Sequence, residues 1–315
     1  VSWRMNPKDY ASLLGAAKIY NKLRQYENAM NMSKKALDLK FTGEASWEYA
    51  RACIELNKPF EAKRALEKVI ETDPANNVAN RELGIIYYKD GQYKQALPLL
   101  KKAYDQKVDD RVSLQLGKSY LKTGDKRSAI TYLKKATEIN PSLHEAHLDL
   151  ARAYYEINQF KDAASSYSRV DGKILFNTND YYYFAKSLYS TDNKTRAIQI
   201  YKKAIQKSGS SQTSESIVAH HLVGLDALSN KQYSEAILYF QFIVKADPKA
   251  MLIRNIYFLL ADTYLQMKRS TEAISSLEKA IKIDDKNVEA YGLLANLYSK
   301  NNMTTKAKET YQKMM

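Results

Sequence analysis

Two imidazoles one helical turn apart, in His144-Glu145-Ala146-His147, are the residues that come nearest to a metal site. A helical i, i+3 pair can hold an adventitious ion. The spacing is nevertheless one residue short of HExxH, in which two His at i and i+4 bind zinc beside a general-base Glu. Packing is the reading these residues favour. His220 and His221 are the other imidazoles, and Cys53 is the single thiol. One cysteine excludes an intramolecular disulfide and a multi-Cys metal site. Its place in an apolar pattern marks it as a core residue rather than a nucleophile. No GxGxxG, GxxxxGK[ST] or GxSxG occurs, and no Cys/His pair stands in a nucleophile context. The chain is expected to be no enzyme and to need no cofactor or metal.

The elements that position these residues are helices in pairs. Residues 110–143 read DRVSLQLGKSYLKTGDKRSAITYLKKATEINPSL. Apolar or small residues recur at Leu114, Leu116, Gly117, Tyr120 and Leu121, then at Ala129, Ile130, Leu133 and Ala136, with three- and four-residue spacing. Thr123-Gly124-Asp125 is a turn signal, and Asn140-Pro141 stops the second helix. Such a hairpin cannot bury its apolar faces alone. It needs a neighbour on each side.

With Asp110 as position one, the template recurs along the chain. Position twenty is Ala29, Ala62, Ala96, Ala129, Ala163, Ala197, Ala236, Ala273 and Ala307, at steps of 33, 34, 33, 34, 34, 39, 37 and 34 residues. Position eight is always Ala or Gly, from Ala17 and Ala50 through Gly84, Gly117 and Gly224 to Ala261 and Ala295. Small residues there let helix axes approach to about 8–10 Å. Position eleven is usually Tyr, as at Tyr20, Tyr87, Tyr120, Tyr154, Tyr264 and Tyr298.

A period near 34 with Leu116-Gly117 and Tyr120 in the first helix, and Ala129, Leu133, Ala136 and Pro141 in the second, resembles the tetratricopeptide repeat. The resemblance covers about nine tandem repeats over residues 10–315. It lacks Trp at the fourth position, has Cys53 in place of Tyr in repeat two, and carries Pro98 inside the second helix of repeat three. It implies an all-α fold, a right-handed superhelical solenoid of helical hairpins.

The expected organisation is a leader, residues 1–9, and a single solenoid, residues 10–315. Its repeats are 10–42, 43–76, 77–109, 110–143, 144–177, 178–211, 217–250, 254–287 and 288–315. In the leader, Asn6-Pro7 suits a helix cap, and Trp3 and Met5 could cover the first hairpin. The Ser-rich stretch 208–216 reads as a surface loop that shifts the register by five residues. No apolar run approaches the roughly 18 residues needed to span a membrane. The chain starts at Val1 and finishes in the second helix of repeat nine without a solvating cap. It reads as a processed or trimmed fragment, or as part of a longer protein. High Lys, Asn and Tyr usage suits a bacterial protein of an AT-rich genome; a soluble protein of the bacterial cytoplasm or periplasm is the expectation, with the compartment left open.

In tetratricopeptide repeats the first helices line a concave groove that takes segments of partner proteins. By that resemblance positions two, five, nine and twelve or thirteen should face it. Position nine supplies Lys18, Arg51, Lys118, Arg152 and Lys186, so five of the first six repeats carry a cation there. Trp47, Tyr88, Tyr155, Tyr182 and Tyr189 accompany them. Beyond repeat six the rows turn apolar or neutral, with His221, Leu225, Phe258 and Leu265. The expectation is a basic N-terminal two-thirds favouring an acidic segment, and an apolar C-terminal third. Lys-Lys pairs such as Lys134-Lys135 are assigned to the solvated outer face. The residue set of a chaperone carboxylate clamp is absent from any three consecutive repeats.

The leading function is therefore a protein-interaction scaffold, with membership of a multiprotein assembly as a further expectation. A nucleic-acid binder is the competing class, since the chain carries 49 Lys and Arg against 35 Asp and Glu, a net charge of +14, and 25 Tyr. Acids at position two, where phosphates would lie, disfavour it. The third reading is an accessory module of a larger enzyme or secretion assembly.

Overall fold

The computed structural model describes residues 9–246 and 250–314. The expected leader features Trp3, Met5 and Asn6-Pro7, and the terminator Pro248, lie outside the described residues. All described regular structure is helical. Among the described residues, ten helices belong to a compact N-terminal body ending at Ile174, and eight to a C-terminal body starting at Leu175.

In the N-terminal body the helices are α1 (Tyr10–Lys22), α2 (Tyr26–Leu39), α3 (Gly43–Glu55), α4 (Pro59–Thr72) and α5 (Asn77–Lys89), followed by α6 (Tyr93–Gln106), α7 (Asp110–Thr123), α8 (Lys126–Ile139), α9 (His144–Glu156) and α10 (Phe160–Val170). The C-terminal body holds α11 (Thr178–Ser190), α12 (Lys194–Ser208), α13 (Ser214–Ser229) and α14 (Tyr233–Lys245), then α15 (Ala250–Gln266), α16 (Ser270–Ile283), α17 (Val288–Lys300) and α18 (Thr304–Gln312). Within each body every helix packs on the helix before and after it, the contact pattern of a hairpin stack.

The turn inside each hairpin has one geometry. Position fifteen takes a positive φ in all nine repeats: Arg24, Asn57, Gly91, Gly124, Asn158, Asp192, Lys231, Lys268 and Asn302. Its N–H bonds the carbonyl of position twelve, and the next N–H reaches back to position eleven, as in Gly124 to Leu121 and Asp125 to Tyr120. These two bonds satisfy the end of the first helix in a Schellman motif. They also set where the second helix starts. Most second helices accordingly begin without a side-chain cap, whereas most first helices use one: Asp9, Thr42, Asn76, Asp109, Asn177, Thr213 and Asn287.

Position twenty is sealed off from solvent from Ala29 to Ala273. At position eight, a Cβ built on Gly117 would stand 2.5 Å from Leu133 Cγ, and one on Gly84 2.7 Å from Leu100 Cγ. Glycine there is a packing requirement. Pro98 does not interrupt α6, which stays continuous around it. The stretch 208–216 is only partly a loop. Thr213 accepts the Ser216 amide at 3.2 Å and so starts α13 at Ser214, ahead of the expected boundary. The additional residues lengthen a helix as well as a turn.

Candidate inner-face site

The first helices carry the expected cations, and the structure shows what each meets. Lys18 Nζ lies 2.5 Å from Glu44, and Lys118 Nζ is paired with Glu145. Both pairs obey one rule: position nine of one repeat meets position two of the next. Glu44 in turn raises the pKa of Lys18, chiefly through this hydrogen bond. Arg51 is half-buried, faces a repeat whose position two is Val78, and has no ion pair among the described residues. Arg152 lies 3.4 Å from Asp149 within its own helix. Lys186 is exposed.

The aromatic candidates divide. Trp47 is half-buried against the core of repeat two. Tyr88 is half-buried, with its ring 5.4 Å from that of Tyr93. Tyr155 sits 5.8 Å from Phe160. Tyr189 is half-buried. Tyr182 is 4% exposed, and its hydroxyl donates to Ser208 Oγ at 3.2 Å, so its ring serves the packing of α11.

One row escaped the sequence reading. Position six of repeats two to five is Glu48, Glu82, Gln115 and Asp149. Glu48 and Glu82 are 7% and 9% exposed. Asn21 Nδ2 donates to the Glu48 carboxylate at 2.7 Å and to its backbone carbonyl at 2.9 Å. Arg81 holds Glu82 at 2.8 Å. The signal was present as four consecutive polar residues beside the small position eight. An isolated charge on a helix nevertheless reads as solvated until its burial is seen.

Asp149 centres the part of this face where most candidates converge. Burial raises its pKa first; Lys118 and Arg152 oppose this, Glu145 adds to it, and Lys122 opposes it again. Tyr88 belongs to the same cluster, its hydroxyl pKa raised by burial and then by Asp149, Tyr93 and Glu145. Tyr88, Lys118 and Arg152 are therefore brought together, from repeats three, four and five. Lys18, Trp47 and Arg51 lie at the earlier hairpins. Tyr182, Lys186 and Tyr189 belong to the C-terminal body.

In that C-terminal body the apolar rows form a cavity of about 470 Å³. Phe258, Leu265, Leu293 and Leu297 give it an apolar wall, with Lys268 and Lys300 among its polar lining. Leu293, 46% exposed, was not among the sequence candidates. Among the described residues no group of three or more His, Cys, Asp or Glu is placed to hold a metal. His147 Nε2 instead lies 3.1 Å from the carbonyl of Pro141. No helix among the described residues is long and apolar enough to cross a membrane.

Comparison with known proteins gives the same repeat. Tetratricopeptide repeat models match residues 10–42, 48–110, 255–287 and 276–309. A model described as anaphase-promoting complex, cyclosome, subunit 3 matches residues 89–170. The TPR repeat-containing protein MJ1428 of Methanocaldococcus jannaschii is 23% identical over 98% of this chain, which spans 56% of that relative's length. Among solved structures, pilF of Pseudomonas aeruginosa superposes with a TM-score of 0.48 and 17% identity, covering 62% of this chain and 90% of that one. YrrB, described as a TPR protein with an unusual peptide-binding site, gives 0.46 and 17%, covering 62% and 96%. With nine hairpins sharing one turn geometry, one buried alanine row and these matching models, the chain belongs to the tetratricopeptide repeat family.

Proposed function

We propose that the chain is a non-enzymatic scaffold that holds a partner polypeptide against its first helices. The observation that carries this reading is the cavity beside Phe258, Leu265 and Leu293, where exposed apolar surface adjoins Lys268 and Lys300. A partner side chain that is aromatic or aliphatic would fill it, with a neighbouring carboxylate meeting the lysines. In the N-terminal body an acidic segment finds Arg51 without a carboxylate, and reaches Lys18 and Lys118 by exchanging with Glu44 and Glu145. These pairs are substantially exposed on the acid side, so such exchange costs little. The buried acids at position six count against a polyphosphate chain on the same face.

Partner capture from a lysate of the source organism, with and without nuclease, tests the reading. Native chain would be compared with Arg51→Glu/Lys118→Glu and with Leu293→Asp. Loss of a bound protein partner in either variant, with unchanged helical content, is the expected result. A partner retained equally by all three would remove the first-helix reading. Disappearance on nuclease treatment alone would replace it with nucleic-acid binding.

A further inference from the structure

A second cavity, of about 350 Å³, opens between α8 and α10, with α9 beneath it. Lys134 and Thr137 line it from α8, Ser166 and Arg169 from α10, and His147 and Tyr154 from α9. None of the inner-face candidates is among its residues. Lys134, Arg169 and the nearby Lys173 form no ion pair among the described residues. Ser166 is 6% exposed, and its hydroxyl has no hydrogen-bond partner among the described residues. A hydroxyl on a nearly buried serine that lines a cavity beside unpaired cations is a donor available to a ligand there.

The acids of this cavity have other engagements or stand towards solvent. Glu138 is 3.5 Å from Lys135, and Asp162 lies exposed in the first turn of α10, where it acts on the Tyr154 hydroxyl. At the deep end, His147 senses only cationic side chains and one carbonyl. Burial lowers its pKa first, the Pro141 carbonyl opposes, and Arg169, His144 and Lys173 lower it further.

We propose that this trough is a second binding site, for an oxyanion of the phosphate or carboxylate kind, held by Arg169 and Lys134 with the Ser166 hydroxyl donating to it. A guanidinium gives two parallel donors to such a group, and the ammonium adds a point charge. The site does not depend on the first-helix reading, because its walls are second helices. An anion entering it offsets the cations around His147 and favours the protonated ring.

Histidine ring NMR during titration with inorganic phosphate, and separately with citrate, at ionic strength held by chloride, reads this directly. The expected result is a saturable shift of the His147 signal and a rise in its titration midpoint. The His220 signal should stay in place, since that ring is stacked on Phe242 in the other body. Arg169→Gln and Lys134→Gln should each weaken binding roughly tenfold or more, while Lys135→Gln keeps it. Saturation by phosphate alone assigns a phosphoryl ligand, and saturation by citrate alone a carboxylate ligand. Absence of saturable movement with either anion overturns the proposal. So does equal movement in folded Arg169→Gln, with folding checked by circular dichroism.

Discussion

At Gly124 the backbone takes φ of 88°, and at Lys231 the same turn position takes 60° with a side chain attached. The left-handed region costs a non-glycine residue about 1–2 kcal/mol, so the two positions should respond oppositely. Gly124→Ala is expected to destabilise by about 1 kcal/mol in urea unfolding. Lys231→Gly should stabilise by less than that, because glycine also loosens the unfolded chain. Gly117 is constrained by space rather than φ. Gly117→Ala drives a methyl into Leu133 and should cost about 1–3 kcal/mol, despite the helix propensity of alanine. Cys53 has no exposure, and burial pushes its thiol up to about 11. It should therefore resist a thiol reagent at pH 8 until the chain is unfolded. These small residues were legible in the sequence because a volume limit repeats at a fixed position. The turn φ has a sequence signal where the residue is Gly, Asn or Asp, whereas Arg24, Lys231 and Lys268 carry no signature of a left-handed backbone.

Between elements, position eleven does more than fill space. Tyr87 donates to Glu67 at 3.0 Å and Tyr298 to Glu278 at 2.5 Å, each joining a first helix to the second helix of the preceding repeat. Tyr298→Phe should cost about 1 kcal/mol, seen as a lower urea midpoint with an unchanged slope. Another tyrosine bond sets an alkaline limit. Burial, then the Glu235 carboxylate, pushes the Tyr239 hydroxyl from 10.0 up to about 12. The folded pKa is raised, so the stabilising contribution is complete below pH 10 and is lost as pH rises towards 12. In that window the unfolded chain sheds its proton first. Stability measured from pH 10 to 12 should fall less steeply in Tyr239→Phe than in the native chain. The helix pattern foretold which elements pack, but not where the polar groups of their faces go. Glu48 is buried because Asn21 reaches across from the preceding repeat, a contact that no periodicity within one helix reveals. Ser214–216 read as loop because serine is frequent in turns; the Thr213 cap makes the same residues a helical start.

At the scale of the whole chain, neighbour-only packing distributes stability along each body. Amides of α18, whose buried residues are only Ala307 and Thr310, should exchange with solvent sooner than those of α16, which is packed on both flanks. The charge pairs of the first helices add order to that stack. Position nine of one repeat addresses position two of the next, through Lys18 with Glu44 and Lys118 with Glu145. Repeat four presents Arg111 at position two and Lys118 at position nine, whereas repeat five presents Glu145 and Arg152. Two copies of repeat five in tandem would therefore match acid to base at their junction. Two copies of repeat four would set lysine against arginine. The hairpins share a backbone plan, yet they are not interchangeable bricks: where a junction carries such a pair its sign is set by the order of the two repeats, and duplication of a segment would keep the pairing at some junctions and set like charges together at others.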